Sequence, residues 1–510
     1  MNTIERRLRA LDAASLTRLN RGIEKESLRT QPDGALAMTP HPAGLGSAMT
    51  HPHITTDFSE SQLELITGVH VTPEDCLEEL TRIHQVVYRH IGEEMLWCAS
   101  MPCKLPADDQ IPLARYGTSN IGRSKTVYRM GLSHRYGRRM QTISGIHYNF
   151  SVPEALWSAL AVQPDDGYFA LIRNFRRHSW LLLYLCGASP AVCSTFVAGR
   201  PHKLQTLRPG TLYLPHATSL RMGPLGYQSD AQASVAASYN CMKTYARSLY
   251  DALTRPYPPY EQIGIRDGDE YRQLATTLLQ IENEFYGTIR PKRTIRRGER
   301  PLHALTERGV EYVEVRLMDL DPFTPVGITA DTMRLLDIFL LHCLLADSPP
   351  DTPEESRMIG RNQHRVAAYG REPGLRLDRL DGEIALQDWG NEVLSACQPV
   401  AAALDAVHGG NVYGDVLKAA VAALTDPDTL PSARVLRDMR ELYDASYVRF
   451  VVAYSRSHRE ALLAMPLPPE VEIEYARMAG ESVAEQRAIE AADAMPFEAY
   501  RQQYLAQQLL

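Results

Sequence analysis

Residues 22–29 of the chain read GIEKESLR, in which the glutamates Glu24 and Glu26 are two positions apart. Successive side chains of a β-strand point to opposite faces, so both glutamates would lie on one face of a strand. The residue before Glu24 is the apolar Ile23, which would point to the other face. The segment therefore predicts a β-strand with one acidic face and one apolar face.

Four further segments repeat this alternation of polar and apolar residues. They are Ile54 to Thr67 (ITTDFSESQLELIT), Gly145 to Val152 (GIHYNFSV), Ile281 to Tyr286 (IENEFY) and Val310 to Asp319 (VEYVEVRLMD). The polar side chains expected to share a face are His147 with Asn149, Glu282 with Glu284, and Tyr312 with Glu314 and Arg316. The alternate positions are mostly apolar: Leu63, Leu65, Ile146, Tyr148, Phe150, Val313 and Val315. We therefore expect a sheet with one apolar face and one acidic face.

The acidic face needs a physical explanation because two carboxylates on one strand face lie only about 7 Å apart. At an effective dielectric constant of 20, their repulsion is about 2 kcal/mol per pair. Screening by water on a solvated sheet face is the ordinary explanation for a single pair. Solvated faces usually mix lysine and arginine among the acids, whereas these faces carry Glu, Asp, His and Asn, which suit Mg²⁺ or Mn²⁺. The spacing alone leaves both a solvated face and a metal site open.

Composition excludes several classes of protein. The 510 residues are 44% hydrophobic, which allows a large core, and 61 acids against 54 bases give a net charge of −7. This balance does not favour nucleic acid as a partner. The eight cysteines are scattered without a CxxC pair, which is typical of a reducing compartment. The apolar stretch Trp180 to Ala188 is too short to span a bilayer, so we expect a soluble cytoplasmic protein without a membrane partner.

The pattern of periodicity changes along the chain. Strand-like segments alternate with helical ones up to about Pro325, and helical periodicity dominates from about Thr329 onward. We therefore expect an α+β protein with a sheet-containing catalytic core at residues 1–328. A mainly helical part at residues 329–510 would pack on this core, with a soft boundary because no linker separates the two.

Basic residues are concentrated beside the acidic segments. The segment Arg290 to Arg300 (RPKRTIRRGER) follows IENEFY directly, and it would either clamp a triphosphate or form a solvated loop. Gly117 to Ser124 (GTSNIGRS) has the glycine spacing of a phosphate-binding P-loop, but Arg123 stands in place of the required lysine. If the chain binds ATP, we expect it to do so on a fold other than a P-loop or Rossmann domain.

The same segments resemble the proteobacterial type of glutamate-cysteine ligase, in order and spacing, from about Arg21 to Pro325. The motifs that carry the resemblance are RGIEKESLR, HITTDFSESQLELITG, YGTSNIGRSKTVYR, MQTISGIHYNFS, YLCGASPAVCSTF, YLPHATSLRMGPLGY, IENEFYGTIRPKR and GVEYVEVRLMDLDPF. The helical remainder resembles the family more weakly, through stretches such as SARVLRDM.

The resemblance implies a glutamine synthetase-like fold, in which a distorted antiparallel sheet forms a funnel flanked by helices. It places the metal cluster at Glu24, Glu26, Asp57, Glu64, His147 and Glu314. It places Asn149 near the nucleotide, and Arg316 and Arg290 as catalytic residues at the transferred phosphate. It places Tyr128, Arg129, Arg221 and Tyr227 at the amino-acid substrates.

The activity implied by the resemblance is the ligation of the L-glutamate γ-carboxylate to the amine of L-cysteine, with ATP as co-substrate. Mg²⁺ would be required, with Mn²⁺ as a substitute, and the product γ-glutamylcysteine begins glutathione biosynthesis. The resemblance also implies feedback by glutathione, and we expect a monomer. A ligase of the same fold that uses another amine stays open, as do a basic-loop binding protein and a metal-dependent hydrolase.

Overall fold

A computed structural model describes residues 3–226, 231 and 237–507 of the chain. The strands in these ranges are β1 (Asn20–Thr30), β2 (Ile54–Thr56), β3 (Gln62–Ile66), β4 (Met95–Leu96), β5 (Ile146–Ser151), β6 (Ala191–Cys193), β7 (Gln205–Arg208), β8 (Thr211–Tyr213), β9 (Arg266–Asp267), β10 (Glu270–Tyr271), β11 (Ile289–Lys292), β12 (Tyr312–Met318), β13 (Arg376–Arg379) and β14 (Gly382–Ala385).

The α-helices in the same ranges are α1 (Thr3–Ala10), α2 (Ala13–Thr17), α3 (Pro73–His90), α4 (Asn120–Tyr136), α5 (Glu154–Leu160), α6 (Pro164–Cys186), α7 (Met242–Thr254), α8 (Pro258–Ile263), α9 (Pro301–Arg308), α10 (Ala330–Leu345), α11 (Pro353–Tyr369), α12 (Leu386–His408), α13 (Val412–Thr425), α14 (Pro431–Leu442), α15 (Tyr447–Ala464), α16 (Pro469–Ala492) and α17 (Phe497–Leu505). An antiparallel sheet flanked by many helices confirms the predicted α+β class.

Over the described ranges, seven strands form the main sheet, in the order β11-β12-β5-β1-β3-β2, with β4 paired to the end of β1. All of these pairings are antiparallel. The register sets Glu26 opposite Glu64 and Glu24 opposite His147. Residues opposite each other share a sheet face, so the glutamates of β1 and β3 and the histidine of β5 converge on one face.

The other face of the sheet is apolar and buried, as the alternation predicts. Ile23, Tyr148 and Val315 are each 1% exposed or less, and they belong to the largest hydrophobic cluster of the described residues. Helix α6 packs against β11, β12 and α10 on this side. Its stretch from Trp180 to Tyr184 is buried, which confirms that the most apolar segment belongs to the core.

A buried ion pair connects the apolar face of the sheet to α10. Arg21 Nη2 lies 3.0 Å from Asp337 Oδ2, and the Tyr148 hydroxyl donates a hydrogen bond of 2.6 Å to Asp337 Oδ1. Arg21 and Asp337 are both almost fully buried. A buried pair of this kind fixes β1 and β5 relative to the helix, because neither charge is tolerated without its partner.

Two of the predicted strands differ in the structure. Ile54 to Thr67 forms the two strands β2 and β3 around a turn, which is closed by hydrogen bonds from the Asp57 amide to the Gln62 carbonyl and from the Gln62 amide to the Ser59 carbonyl. The prediction of a strand over Ile281 to Tyr286 is wrong, because residues Glu282–Glu284 form a 3₁₀ turn. The two glutamates therefore do not share a strand face.

Residues 330–505 form α10 to α17 and the β13–β14 hairpin, in keeping with the helical periodicity. The largest hydrophobic cluster contains residues from both this part and the sheet, such as Ile146 and Leu336. The division near residue 328 stays a prediction. Among the described residues, no helix is both long enough and apolar enough to cross a membrane.

Candidate active site

A cavity of about 390 Å³ lies over the acidic face of the main sheet. Strands β1, β3, β5, β11 and β12 form its floor, and α4 and the segment after residue 280 contribute to its walls. Ten of the predicted site residues line it: Glu24, Glu26, Asp57, Glu64, Tyr128, Arg129, His147, Arg290, Glu314 and Arg316. The structure thus brings together residues that are up to 292 positions apart in the chain.

Glu24 lies at the centre of the polar contacts on the cavity floor. His147 Nδ1 is 3.1 Å from Glu24 Oε2, and Asn149 Nδ2 donates a hydrogen bond of 2.9 Å to Glu24 Oε1. Side-chain ligand atoms of Glu24, Glu64 and His147 all lie within 4.8 Å of one another. Two carboxylates and an imidazole at this separation form a donor set that suits a divalent cation.

Like charges on the floor perturb the neighbouring glutamates. Burial raises the pKa of Glu26 to about 8, and Asp57 adds to this effect. Burial also raises the pKa of Glu64 well above its ordinary value, with further contributions from Glu24, Asp57 and Glu26. His147 has a lowered pKa because it is buried and faces Arg316, so its imidazole is neutral at pH 7 and able to act as a ligand.

Glu314 lies at the boundary between the acidic and basic parts of the cavity. Its carboxylate is 2.9 Å from Lys292 Nζ, 2.8 Å from Arg316 Nη1 and 3.9 Å from Arg290 Nη1. Burial alone would raise the pKa of Glu314, but Lys292 and Arg316 outweigh this effect and hold it well below its ordinary value. The cavity therefore has carboxyl groups toward β3 and cationic groups toward β11.

Arg290 and Arg129 also contact the backbone that shapes the cavity. Arg290 Nη2 donates to the Phe285 carbonyl and, at 3.0 Å, to the Asn283 carbonyl, so it holds the wall after residue 280 against β11. Arg129 donates to the Asp57 carbonyl and stacks at 4.6 Å over the Tyr116 ring. Both arginines are therefore positioned by contacts that do not involve a ligand.

Three predicted site residues are not among those that line the cavity. Asn149 contacts a lining residue, since it donates a hydrogen bond to Glu24. Arg221 is buried behind Gly145, where it donates a hydrogen bond of 2.8 Å to the Arg316 carbonyl and lies 3.9 Å from Asp319. Tyr227 lies outside the described residues.

Most of the basic segment Arg290 to Arg300 does not reach the cavity. Among its described basic residues, Arg290 and Lys292 line the cavity, whereas Arg300 and Arg297 form ion pairs with Glu282 and Glu485. The described part of the segment therefore does not act as a whole as a clamp for a triphosphate in the cavity. The acidic partners were not recognisable from the sequence because they are distant or belong to other elements.

Several lining residues were missed by the sequence analysis: Phe58, Lys125, Leu132, Gln141, Tyr286 and Lys292. Two of them had a usable signal, since Leu132 follows Tyr128 by one helical turn and Lys292 follows Arg290 by two strand positions. Tyr286 accepts a hydrogen bond of 2.8 Å from Gln141 Nε2, a contact between segments that no local pattern predicts.

A sheet face with clustered carboxylates and a neutral histidine, bordered by arginine and lysine, has the donor groups that a protein needs to hold a divalent cation together with phosphate groups. The comparisons narrow the class of proteins with such a site. The family model for glutamate-cysteine ligase matches residues 6–366, and the chain belongs to that family. It is 49% identical over 500 residues to the glutamate-cysteine ligase of Bordetella parapertussis, covering 96% of this chain and 94% of the relative.

Solved structures agree with this assignment. The glutamate-cysteine ligase of Francisella tularensis, in complex with AMP, superposes with a TM-score of 0.92 at 38% identity and covers 96% of this chain and 98% of that chain. A bifunctional glutathione synthetase from Pasteurella multocida gives a TM-score of 0.70 at 28% identity, covering 90% of this chain and 54% of the larger enzyme. The resemblance inferred from the sequence motifs is confirmed.

Proposed function

We propose that the chain joins the γ-carboxylate of L-glutamate to the amine of L-cysteine, with conversion of ATP to ADP and phosphate. The observation that carries the proposal is the boundary at Glu314, where the carboxylates of the cavity floor meet Lys292, Arg316 and Arg290. A ligation driven by phosphoryl transfer needs both parts, because anionic phosphates and carboxylates must approach one another in the same cavity. Family membership supports the same reaction.

The donor set fits Mg²⁺, with Mn²⁺ as a substitute. Glu24, Glu64 and His147 would hold one ion directly, and Glu26, Asp57 and Glu314 supply further carboxylates within the cavity. Burial and, secondarily, neighbouring carboxylates raise the pKa values of Glu26 and Glu64, and a bound cation would offset both effects. When bound, the ion neutralises phosphate charge and helps to align the reacting groups.

The reaction would proceed in two displacements. A γ-carboxylate oxygen of glutamate attacks the γ-phosphorus of ATP, the bond from that phosphorus to the β,γ-bridging oxygen breaks, and ADP leaves. The cysteine amine then attacks the acyl carbon of γ-glutamyl phosphate, the carbon–oxygen bond breaks, and phosphate leaves with the proton that the amine gives up. Arg316 uses Nη1 to bind Glu314. The other N–H groups of its guanidinium would stabilise the phosphoryl group in transfer, and Arg290 would assist. The cavity would limit loss of the acyl phosphate to water.

The remaining predicted residues would orient the substrates. Tyr128 and Arg129 line the cavity near Asp57 and would contact the amino acids, together with Tyr227. Arg221 would act close to Glu26, whose pKa it lowers through its charge. Asn149 would keep Glu24 oriented near the nucleotide. We further propose that the protein is a cytoplasmic monomer and that glutathione inhibits it. The alternative to the proposed reaction is the ligation of glutamate to another amine.

The test measures ADP release in the presence of Mg²⁺ and L-glutamate, with L-cysteine, L-2-aminobutyrate, ammonia or no amine. L-Cysteine should give the fastest turnover, and Glu24→Gln should lower kcat/KM by about 10²–10³-fold. Glu78→Gln serves as the matched control, because Glu78 is exposed on α3 and forms a surface ion pair with Arg82. No turnover that depends on amino acids would overturn the proposal, whereas turnover with another amine alone would establish the alternative.

A further inference from the structure

A second cavity, of about 310 Å³, lies on another side of the molecule and shares no lining residue with the first. It lies between α3, α16 and the 3₁₀ turn at residues Ala43–Leu45. Its size is at the lower end of the range for small-molecule sites. The lining of this cavity combines apolar side chains with a small set of polar groups.

The apolar part of the lining is made by Leu45, Ile54, Val86 and Leu467. Charged groups of opposite sign occur beside it. Arg89 Nε lies 3.2 Å from Glu472 Oε1, and the two side chains are 25% and 55% exposed. Arg89 Nη1 donates to the Gln85 carbonyl, and among the described residues Arg89 Nη2 and Glu472 Oε2 form no hydrogen bond.

His51 adds an unpartnered donor to this lining. It is 7% exposed, and its Nδ1 accepts hydrogen bonds from the backbone amides of His53 and Ile54, at 3.1 and 3.0 Å. Its remaining ring proton therefore lies on Nε2. Burial lowers the pKa of His51 to about 4, so this neutral tautomer persists at pH 7. Within the described ranges, Nε2 has no protein acceptor, so its N–H is available to a ligand in the cavity.

We propose that this cavity binds a zwitterionic α-amino acid with an uncharged side chain. The carboxylate would bind the free edge of the Arg89 guanidinium, and the ammonium would bind Glu472. The side chain would then occupy the apolar part of the cavity, where a weak acceptor such as a thioether sulfur faces the donor of His51. A ligand with a single charge would complement only half of this polar edge.

The site goes beyond the proposed ligase reaction and does not depend on it. The two cavities are nevertheless adjacent along one strand, since Ile54 lines the second cavity while Thr55 and Thr56 line the first. Two ligands that contact the same strand can alter each other's affinity. The site would therefore allow an amino acid that is not consumed to influence the strand that precedes Asp57.

The experiment titrates the full chain, without ATP, with L-methionine in a calorimeter. We expect saturable binding of one molecule per chain. Two analogues remove one charge each: 4-(methylthio)butanoate lacks the ammonium and 3-(methylthio)propylamine lacks the carboxylate. Each should bind about tenfold more weakly or worse, because a charge-assisted hydrogen bond is lost.

Two variants locate the binding. Arg89→Gln should raise the Kd by about tenfold or more, and Leu467→Trp should block the cavity and abolish binding. Arg82→Gln is the matched control, because Arg82 is on the same helix, pairs with Glu78 and does not line the cavity. Thermal unfolding and ATP-dependent turnover verify that each variant is folded.

The proposal is overturned if L-methionine shows no saturable binding, or if Arg89→Gln and Leu467→Trp bind it as tightly as the wild type. The latter result would place the amino acid elsewhere, including the main cavity. Because the titration requires no turnover, its failure is distinguishable from failure of the ligase activity.

Discussion

Two acidic segments around the main cavity have the same spacing of glutamates but different surroundings. On the floor of the cavity, Glu24 contacts a neutral histidine and an asparagine, and Glu26 faces Asp57 and Glu64. In the wall, Glu284 and Glu282 each contact their own arginine. Arg135 Nη1 lies 2.8 Å from Glu284 Oε1, and Arg300 Nη2 lies 2.8 Å from Glu282 Oε2.

The partners of each carboxylate distinguish one that is available to bind a ligand from one that is structural. In the wall, Glu284 also accepts hydrogen bonds from the Tyr136 hydroxyl and the Gln280 amide, so both of its oxygens are satisfied by the protein. On the floor, burial raises the pKa values of Glu26 and Glu64, and the neighbouring carboxylates raise them further. Unbalanced charge in a cavity is typical of a functional site, whereas balanced charge is typical of a structural one.

The largest expected effect is on stability and comes from the wall. In Glu284→Gln, the fully buried Arg135 loses its counter-charge, so the free energy of unfolding should fall by about 3–5 kcal/mol. Urea unfolding measures this change. The double variant Glu284→Gln with Arg135→Met should recover part of the loss, because it leaves no uncompensated charge. A single variant as stable as the wild type would contradict the assignment of Glu284 as a structural residue.

The second effect is on activity and comes from the floor. Glu24→Gln removes a charged ligand but keeps the shape of the side chain, so kcat/KM should fall by about 10²–10³-fold. Its free energy of unfolding should fall less than that of Glu284→Gln, because the amide oxygen can still accept the Asn149 hydrogen bond and lost repulsion from Glu314 partly offsets lost attraction to His147 and Lys292. If Glu24→Gln is strongly destabilised but remains active when folded, Glu24 is a structural residue like Glu284 and the contrast between floor and wall is wrong.

The third effect is a pH dependence. Because burial and Asp57 raise the pKa of Glu26 from 4.5 to about 8, the folded chain retains a proton that the unfolded chain releases in this interval. The stabilisation is fully present below pH 4.5 and is lost as the pH rises through about 8. Glu26→Gln should therefore flatten the plot of unfolding free energy against pH by up to about 1.4 kcal/mol per pH unit.

The measurement uses protein freed of divalent cations and follows urea unfolding from pH 5 to 8. Added Mg²⁺ should stabilise the wild type more at pH 8 than at pH 6, since its carboxylate ligands must be deprotonated. Equal slopes for the wild type and Glu26→Gln would show that Glu26 is ionised throughout this range.

Strand alternation predicted much of the sheet, because the two-residue period fixes which side chains share a face. Glu24, His147 and Glu314 were placed on one face for that reason, and Ile23, Tyr148 and Val315 on the other. The register that sets Glu26 opposite Glu64 was not predictable, since it depends on pairing between separate segments.

The misassigned strand over residues 281–286 failed for a related physical reason. Its glutamates satisfy the local pattern of a strand, but contacts with Arg135, which is 149 positions earlier, and with Arg300 favour a turn instead. Long-range ion pairs of this kind override local propensity and leave no periodic signal. The position of Arg221 behind Gly145 likewise depends on packing that the sequence does not reveal.

The smallest expected effect concerns an acid that belongs to neither segment. Glu78 pairs with Arg82 one helical turn away, and their side chains are 60% and 40% exposed. Water and salt screen such a pair, so Glu78→Gln should change the free energy of unfolding by no more than about 0.5 kcal/mol and leave kcat/KM unchanged. Urea unfolding and the ADP-release assay measure both quantities. A loss of activity in this variant would mean that removal of negative charge anywhere impairs the enzyme, and the contrast between Glu24 and Glu284 would then not depend on their local partners.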